Sequence, residues 1–317
     1  MRILITGGAG FIGSNLAEAL LLDERVTHVR VLDNLATGSL DNIREFISHP
    51  KFEFLEGDIR NYDTCLTACD TIDLITHQAA LGSVPRSIND PLTTNEVNIT
   101  GTLNVFTAAK EKKIRRVIYA ASSSTYGDHP GLPKVEDKIG NPLSPYAVTK
   151  YVNELYAKVY ANLYDIEFIG LRYFNIFGPK QNPNGPYAAV IPLFAEALLH
   201  NKPPVINGDG SHSRDFTYIQ NAVKANILAL FITDRAAVNQ AYNIACGEQT
   251  SLLQLFEGLN KEAGTSLQPV FGPERQGDVK HSLADISKAR TLLGYDPEVT
   301  VGEGLRKTFN WYKLNHY

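Results

Sequence analysis

The stretch Thr6-Gly7-Gly8-Ala9-Gly10-Phe11-Ile12-Gly13 joins an apolar segment to an amphipathic one. The residues before it, Arg2-Ile3-Leu4-Ile5, have the branched apolar character of a buried parallel strand. The residues after it repeat apolar side chains at helical spacing as far as Leu20. The glycines are therefore predicted to form the turn between a strand and a helix.

This spacing of glycines suits a nucleotide site. Gly7, Gly10 and Gly13 allow a sharp turn, close approach of a pyrophosphate, and tight packing of helix on strand. An ordinary glycine-rich turn is the alternative, because a glycine triplet alone is a weak signal. The segment after it favours the nucleotide site, since a second predicted strand ends in Asp33, about 20 residues past the last glycine. Because this acid suits a ribose 2′-hydroxyl and repels a 2′-phosphate, we expect NAD rather than NADP.

The size and charge of the chain narrow its functional class. Its 317 residues allow one large α/β domain or two unequal lobes around a cleft, and we expect two lobes. A net charge of -4 with mixed signs gives no basic surface for nucleic acid or an acidic membrane. Because Met1 leads directly into a strand and apolar runs stay below roughly 18 residues, we expect a cytoplasmic protein without signal peptide or membrane span.

The cysteines give no sign of a disulfide framework or a metal site. Cys65 and Cys69 are four residues apart on a predicted helix, and Cys246 lies far along the chain. No pair of histidines completes a zinc pattern. We expect all three thiols to be reduced and structural, and no metal to be bound.

The first half of the chain alternates strands and helices without a hairpin signal. This pattern predicts a doubly wound parallel sheet, in which ligands bind at the carboxyl ends of the strands. The candidates at such ends are Gly7, Asp33, Asp58, Gln78 and Ser122. The turn over residues 34–38 would lie at the adenosine ribose, and Asp58-Ile59 at the adenine. His77 is expected to be buried and satisfied by its neighbours.

The pattern of alternating strands and helices ends after residue 176. Loops rich in glycine, proline and asparagine occupy residues 178–186 and 207–211, and short strands are predicted near residues 215–218 and 242–245. We therefore expect a dinucleotide-binding domain over residues 1–176 and a smaller α/β substrate lobe over residues 177–317, with some of the chain crossing between them.

Tyr146 and Lys150 stand four residues apart near the start of a helix that Ser144-Pro145 opens. Both therefore project from one face, where an ammonium would lower the phenol pKa from about 10 toward the range of a general base. A chance pair is the alternative, because this spacing is common in helices. Ser122 favours catalysis, since it ends a strand just before this region and its hydroxyl could contact the same substrate oxygen.

These motifs together resemble the extended short-chain dehydrogenases/reductases that act on nucleotide sugars, over essentially the whole chain. The matching stretches are residues 6–13, Asp33, and residues 122–127, 146–150, 172–179 and 214–216. Residues 82–87, 141–146, 206–216 and 277–282 are most similar to UDP-N-acetylglucosamine 4-epimerases, including those that use the uronic acid form. The resemblance implies a Rossmann-type sheet and a homodimer formed through helices near residues 92–112 and 145–164, although these faces could equally be buried within one chain.

The resemblance also implies a mechanism with resident NAD. Tyr146 would take the proton from the sugar 4-hydroxyl while the hydride moves to NAD. Lys150 would hold the nicotinamide ribose, and Ser122 would steady the oxygen. The keto sugar would then turn over and receive the hydride on its other face, so that the product is the 4-epimer.

Further contacts follow from the matching positions. Arg214 and Arg275 carry planar guanidinium groups that suit a diphosphate, although surface ion pairs are an alternative. The other residues expected at the cofactor are Phe11, Ile12, Asn34, Thr37, Gly38, Ile59, Ala79, Ala80, Asn98 and Tyr173. The other residues expected at the substrate are Arg86, Ser123, Ser124, Asn175, Tyr187, Ala189, Val190, Asn207, Asp278 and Ser282.

Ser282 bears on the choice of sugar. Related epimerases confined to smaller hexoses carry a tyrosine at the matching place, and its ring would crowd a 2-acetamido group. A serine leaves room for an N-acetylated sugar without excluding glucose.

Three other functions are alternatives to epimerisation. A nucleotide-sugar 4,6-dehydratase would carry an Asp-Glu pair where this chain has Ser123, Ser124 and Thr125, and a related decarboxylase places glutamate in the same loop. A protein that only senses NAD would usually lack the tyrosine or the lysine. The sequence therefore favours the epimerase.

Overall fold

The computed structural model describes residues 1–184, 188–273 and 280–315. Its strands are β1 (Arg2–Thr6), β2 (His28–Asp33), β3 (Phe52–Glu56), β4 (Leu74–His77), β5 (Arg116–Ser122), β6 (Glu167–Tyr173), β7 (Ile176–Phe177), β8 (Val205–Asn207), β9 (Ser213–Arg214), β10 (Thr217–Tyr218), β11 (Gln240–Ile244), β12 (Thr250–Ser251) and β13 (Val270–Gly272). Its helices are α1 (Phe11–Leu22), α2 (Tyr62–Ala68), α3 (Val84–Asn89), α4 (Pro91–Asn95), α5 (Thr102–Glu111), α6 (Pro145–Leu163), α7 (Val190–Leu199), α8 (Ile219–Phe231), α9 (Leu252–Ala263), α10 (Ser287–Leu293) and α11 (Val301–Leu314).

Seven parallel strands form the central sheet, in the order β11-β6-β5-β4-β1-β2-β3. The prediction of a doubly wound parallel sheet is therefore confirmed. The apolar residues of β1 are almost completely buried because helices cover both faces of the sheet. The strand order reverses at β1, between β2 and β4, and a crevice opens at such a switch point, where α/β proteins bind their ligands.

Two apolar layers lie on the two faces of the sheet. On one face α1 packs against α8, and its core is continuous with α7, α9 and α11. On the other face α2, α5 and α6 pack together around Phe106. Cys65 and Cys69 are buried in this second layer as free thiols, and burial raises the pKa of each to about 12. This agrees with a structural role for both.

The helical segment predicted over residues 92–112 contains an irregularity. Between α4 and α5 the chain forms a π-helical turn over Glu96–Gly101. Such wide turns shift side chains out of helical register and often occur at functional sites. Here the turn buries Asn98 completely, and this amide then hydrogen-bonds to neighbouring segments.

The strand predicted near residues 242–245 lies elsewhere than expected. It is β11, and it extends the central sheet by pairing in parallel with β6 instead of lying with the substrate-lobe elements. The reason is burial, since Tyr242 and Ile244 insert into the core that α8 covers. Of the strand predicted near residues 215–218, only Thr217–Tyr218 forms a strand, β10, and the separate strand β9 precedes it at Ser213–Arg214. The division of the chain into two lobes near residue 176 stays a prediction.

The remaining strands form three small pairs: β7 with β10, β8 with β13, and β9 with β12. Residues of β7, β8 and β9 line the second cavity of the site described below. In the part of the chain that the structure describes, helices of the length and apolarity needed to span a membrane are absent.

Candidate active site

A long cleft of about 620 Å³ follows the carboxyl edge of the central sheet. It runs from the glycine turn past the ends of β2 and β3 to the start of α6. The predicted site residues that line it are Gly7, Gly10, Phe11, Ile12, Gly13, Asp33, Asn34, Thr37, Asp58, Ile59, Gln78, Ala79, Ala80, Ser122, Ser123, Tyr146, Lys150, Tyr173, Asn175 and Ala189. The fold thus brings together residues from both halves of the chain.

The glycine turn leaves room for a ligand close to the backbone. Gly7 has φ +70°, and a Cβ there would lie 2.6 Å from the amide nitrogen of Ala79. A Cβ on Gly13 would collide with the carbonyl oxygen of Gly7. Because α1 starts after Gly10, which has no side chain to cap it, the amides of its first turn are left for an anion. These features fit a pyrophosphate.

Asp33 lies at the end of β2 beside this turn. Its carboxylate accepts hydrogen bonds from the amides of Ala9 (2.9 Å) and Leu35 (2.8 Å). Burial raises the pKa of Asp33, and these backbone donors partly oppose the rise. These amide donors fix the carboxylate at the cleft wall, where it suits a ribose hydroxyl.

Charged groups bound the cleft at the end of β3. Asp58 accepts hydrogen bonds from the Arg60 guanidinium (2.7 Å) and from Asn34 Nδ2 (2.9 Å). The Arg60 guanidinium is the main reason that the pKa of Asp58 is lowered to about 2. Arg60 itself also lines the cleft. Sequence reasoning missed Arg60, although its position two residues after Asp58 was a usable signal.

A buried polar network supports the middle of the cleft. Tyr173 Oη donates to Gln78 Oε1 (3.1 Å), and Asn226 Nδ2 donates to Tyr173 Oη (2.8 Å). Gln78 Nε2 in turn donates to Asn226 Oδ1 (3.0 Å). His77 lies next to this network, fully buried, and bonds to Thr6 and Thr102. Burial lowers the pKa of His77 to about 3, which agrees with the predicted neutral, structural histidine.

Tyr146, Lys150 and Ser122 meet at the inner end of the cleft. Tyr146 and Ser122 line the same end of the cleft, where the Ser122 hydroxyl favours the charged form of the phenol, and Ser124 Oγ donates to Ser122 Oγ (2.9 Å). Lys150 Nζ donates to the carbonyl oxygen of Ala120 (2.8 Å) and lies 5.9 Å from the centre of the Tyr146 ring. One helical turn therefore places the phenol and the ammonium on the same side of α6, as the spacing predicted.

The electrostatics of this group differ from the expectation. The pKa of Tyr146 is raised, because burial outweighs the hydrogen bond from Ser122. Burial also lowers the pKa of Lys150 to about 8. The lysine ammonium points at the Ala120 carbonyl rather than at the phenol oxygen, which explains why the expected lowering of the Tyr146 pKa is not found. Near neutral pH Lys150 is still mostly protonated.

A second cavity of about 260 Å³, called here the side pocket, adjoins the cleft. Asn175, Ile176 and Ala189 line both cavities. The predicted residues Val190, Asn207 and Arg214 also line the side pocket. Arg214 Nη1 donates to the carbonyl oxygens of Ser213 (3.0 Å) and Lys280 (3.1 Å). The side pocket thus combines a guanidinium with apolar walls.

Several predicted residues do not line either cavity. Gly38 packs against the backbone of Ala9, and Arg86 lies on α3. Ser124 stands behind Ser122, and the amide of Ser282 donates to Ser213 O (3.1 Å).

Asn98 also lies outside the lining. Its side chain holds the backbone amide (2.8 Å) and carbonyl (3.2 Å) of Leu81 and the hydroxyl of Thr149 (3.1 Å). The contacts predicted for Tyr187, Arg275 and Asp278 fall outside the described residues. The binding roles of all these residues stay predictions.

Sequence reasoning missed most of the apolar walls. The additional residues of the cleft include Leu81, Gly82, Thr93, Val97, Gln181 and Asn182. The additional residues of the side pocket include Phe177, Ile191, Phe194, Ile206, His212, Phe216 and Leu252. Most of these side chains are apolar, so that in sequence they look like ordinary core residues.

The arrangement suits the chemistry of a bound dinucleotide. The cleft offers a cradle that side chains at Gly7 or Gly13 would fill, a helix N-terminus, and a carboxylate for a ribose. At its inner end stand a phenol, a serine hydroxyl and a lysine, next to a side pocket with a guanidinium. Proton transfer at an alcohol beside a nicotinamide is the reaction that this set supports.

Comparisons with known proteins point the same way. The model of the NAD dependent epimerase/dehydratase family matches residues 3–245. A putative UDP-glucose 4-epimerase of Methanocaldococcus jannaschii is 38% identical over 317 residues, which cover 99% of each chain.

Two solved structures are similar over the whole length. A UDP-N-acetylglucosamine 4-epimerase from Methanobrevibacter ruminantium, in complex with UDP-N-acetylmuramic acid, has a TM-score of 0.93 at 38% identity and covers 99% of this chain and 98% of its own. A UDP-glucuronic acid 4-epimerase from Bacillus cereus, in complex with UDP-glucuronic acid and NAD, has a TM-score of 0.92 at 35% identity and covers 99% of this chain and 100% of its own.

Proposed function

The chain belongs to the NAD-dependent epimerase/dehydratase family, and from this premise we propose that it inverts carbon 4 of a UDP-hexose, with N-acetylated hexoses or their uronic acid forms as substrates. The observation that carries the proposal is the meeting of Tyr146, Ser122 and Lys150 at the inner end of the cleft, which adjoins the side pocket. A base at this point can reach a sugar hydroxyl whose nucleotide occupies the side pocket.

The residues of the cleft would each hold a different part of NAD. The glycine turn and the first turn of α1 would hold the pyrophosphate of NAD, and Asp33 a ribose hydroxyl. Bound NAD supplies a reversible acceptor for the hydride of carbon 4. Lys150 keeps its proton below about pH 8, so that its ammonium would be available to the nicotinamide ribose.

The proton path uses residues of this chain. Tyr146 accepts the proton of the 4-hydroxyl and later returns it, and Ser122 donates a hydrogen bond to the same oxygen. Because burial raises the Tyr146 pKa, the phenolate forms only when positive charge stands nearby. In the structure the Lys150 ammonium bonds to the Ala120 carbonyl, so it would contribute that charge only by turning toward the phenol in the loaded enzyme.

Two features support an N-acetylated sugar. Ser282 is a small residue, and its backbone pairs with Ser213, next to Arg214 of the side pocket. It leaves space where a larger ring would crowd a 2-acetamido group. The Methanobrevibacter ruminantium protein, similar over the full length, is named for N-acetylglucosamine.

We also propose that a second copy of the chain covers one face of α6. Leu155, Val159 and Leu163 follow each other at intervals of four residues and are exposed, as are Ile88 and Leu92 nearby in α3 and α4. An apolar stripe of this length on a single chain is typical of an interface. A homodimer in which α6, with α3 and α4 beside it, packs against the same helices of the second copy would bury this stripe.

The test is a substrate panel. Purified protein is incubated separately with UDP-N-acetylglucosamine, UDP-N-acetylgalactosamine, UDP-glucuronic acid and UDP-glucose, and the anomeric proton signals are followed by NMR. We expect interconversion of the 4-epimers, fastest with the N-acetylated or uronic acid sugars. A 4-keto-6-deoxy product would indicate a dehydratase instead, and NAD binding without turnover of any sugar would indicate a sensor.

A further inference from the structure

Asp215 lies between two residues of the side pocket, Arg214 and Phe216, but its own side chain turns inward and is 0% exposed. Its carboxylate accepts hydrogen bonds from three backbone amides: Cys246 N (2.9 Å), Gly247 N (3.0 Å) and Ala284 N (3.2 Å). Within the described residues the carboxylate makes no ion pair with a cation. Among these residues, backbone amides therefore supply its stabilisation.

A buried carboxylate such as that of Asp215 contributes little to the stability of a fold. Burial disfavours the charged form and raises the pKa of Asp215 to about 6. A buried carboxylate adds little net stability even when its hydrogen bonds are complete. Its presence here is better explained by what it brings together.

The three amides belong to segments that are distant in sequence. Cys246 and Gly247 follow the edge strand β11 of the central sheet, whereas Ala284 follows residues 280–282. Residues 280–282 pair with Ser213, through Ser213 N to Lys280 O (3.0 Å) and Ser282 N to Ser213 O (3.1 Å). Asp215 thus anchors residues 280–284 to the end of the central sheet.

This anchoring reaches the guanidinium of Arg214. Arg214 Nη1 donates to Ser213 O and to Lys280 O, so that its direction depends on both segments being in place. The backbone carbonyl of Asp215 also accepts a hydrogen bond from Asn175 Nδ2 (3.2 Å), and Asn175 lines both the cleft and the side pocket.

We propose that Asp215 is a positioning residue that, by holding residues 280–284 against Ser213, sets the Arg214 guanidinium to receive the diphosphate of a nucleotide sugar. This inference rests on the proposed function, because the diphosphate is the ligand that Arg214 would meet in the side pocket. Asp215 does not line the cleft that contains Tyr146 and Lys150. Its loss should therefore weaken nucleotide binding and leave the chemical step largely intact.

The test compares Asp215→Asn with the control Asp234→Asn. Asp234 is an exposed carboxylate that also accepts a backbone amide, from Ala236 (2.9 Å), but it lines neither the cleft nor the side pocket. The asparagine keeps the shape of the aspartate while replacing one acceptor oxygen by a donor that faces an amide. Isothermal titration with UDP is expected to give a dissociation constant about tenfold or more higher for Asp215→Asn, and no change for Asp234→Asn.

Kinetics separate positioning from general damage. The KM for the UDP-sugar is expected to rise with the dissociation constant of UDP, while kcat stays within about threefold and bound NAD is retained. Equal UDP affinity in Asp215→Asn and Asp234→Asn would overturn the positioning role and leave the proposed function standing. Wild-type protein that binds UDP but converts no UDP-sugar would contradict the proposed function alone.

A second measurement needs only the wild-type chain, in case Asp215→Asn fails to fold. Hydrogen exchange of the Cys246, Gly247 and Ala284 amides is compared with and without saturating UDP. We expect slower exchange of all three amides with UDP, because a ligand on Arg214 stabilises the segments that Asp215 joins. Unchanged exchange at these amides in the UDP complex would overturn the inference.

Discussion

Tyr146 is the residue on which the proposed chemistry depends. In Tyr146→Phe the ring keeps its packing and loses the hydroxyl that lies with Ser122 at the inner end of the cleft. We expect kcat to fall by about 10²–10⁴-fold, the usual contribution of a general base. NMR turnover assays measure the loss, and the absorbance of released cofactor measures NAD content, which should stay at the wild-type level.

A second tyrosine of α6 provides the control. Tyr156→Phe alters a partly exposed tyrosine on the same helix and should leave turnover unchanged. If Tyr146→Phe kept full activity, the assignment of the base would be wrong.

Lys150 is predicted to lower the stability of the cofactor-free protein. Its pKa falls from 10.5 to about 8 on burial, so the charged form is disfavoured in the fold. This destabilisation is largest below pH 8 and disappears as the pH rises toward 10.5. The difference corresponds to about 3 kcal/mol, less about 1 kcal/mol for the hydrogen bond to Ala120. Urea unfolding should therefore show Lys150→Met about 2 kcal/mol more stable at pH 7, with a smaller gain at pH 9.

The matched control is Lys112→Met. Lys112 makes a surface ion pair with Asp70 (3.0 Å), so its loss should change stability by less than about 0.5 kcal/mol at either pH. A Lys150→Met protein that is less stable than wild type at pH 7 would show that Lys150 supports the fold.

Residue identity was more predictable from sequence than residue environment. Tyr146, Lys150 and Ser122 could be selected because helix spacing and strand ends place them together. The direction of the Tyr146 pKa could not, because it depends on depth in the cleft and on the Ala120 carbonyl that Lys150 meets. Sequence spacing reveals neighbours along one element and gives no measure of burial.

At the scale of elements, the π-helical turn between α4 and α5 joins the cleft to α6. Asn98 on this turn bonds to Leu81, which lines the cleft, and to Thr149, which lies between Tyr146 and Lys150 on α6. In Asn98→Ala one buried and two partly buried hydrogen bonds are lost, and we expect the free energy of unfolding to fall by about 2–4 kcal/mol. Urea denaturation and NAD content measure the effect, with NAD content also expected to fall.

The exposed Asn315 gives a control. It caps the C-terminus of α11, and Asn315→Ala should change stability by less than about 0.5 kcal/mol. Unchanged stability and cofactor content in Asn98→Ala would show that the turn does not couple these elements.

Long, strongly patterned elements could be predicted, and their irregularities could not. The alternation of apolar strands and helices indicated the parallel sheet, and Ser144-Pro145 indicated the start of α6. Nothing in the periodicity of residues 92–112 indicated a π-helical turn, because the turn serves Asn98 and its distant partner Thr149. The place of β11 likewise depends on contacts with β6, which sequence patterns do not encode.

At the scale of the whole molecule, the exposed stripe on α6 predicts the oligomeric state. The wild-type protein should sediment at twice the mass of one 35.0 kDa chain. Val159→Glu places a charge in the stripe and should shift the protein to monomer, because an unpaired charge is costly in an apolar interface. Analytical ultracentrifugation over a range of concentrations measures the shift.

Leu22→Glu changes an exposed leucine at the end of α1, on another part of the surface, and should leave the dimer intact. A wild-type protein that sediments as a monomer at micromolar concentrations would contradict the homodimer.

The position of β11 affects how the chain folds while it is being synthesised. The strand β6 emerges from the ribosome about seventy residues before the strand that covers its edge. During that interval the nascent chain carries an unpaired edge beside Ile169 and Leu171, a template for wrong pairing with other chains. Translation must therefore pass residue 244 before this side of the sheet is closed, and chains released early would be the ones that aggregate.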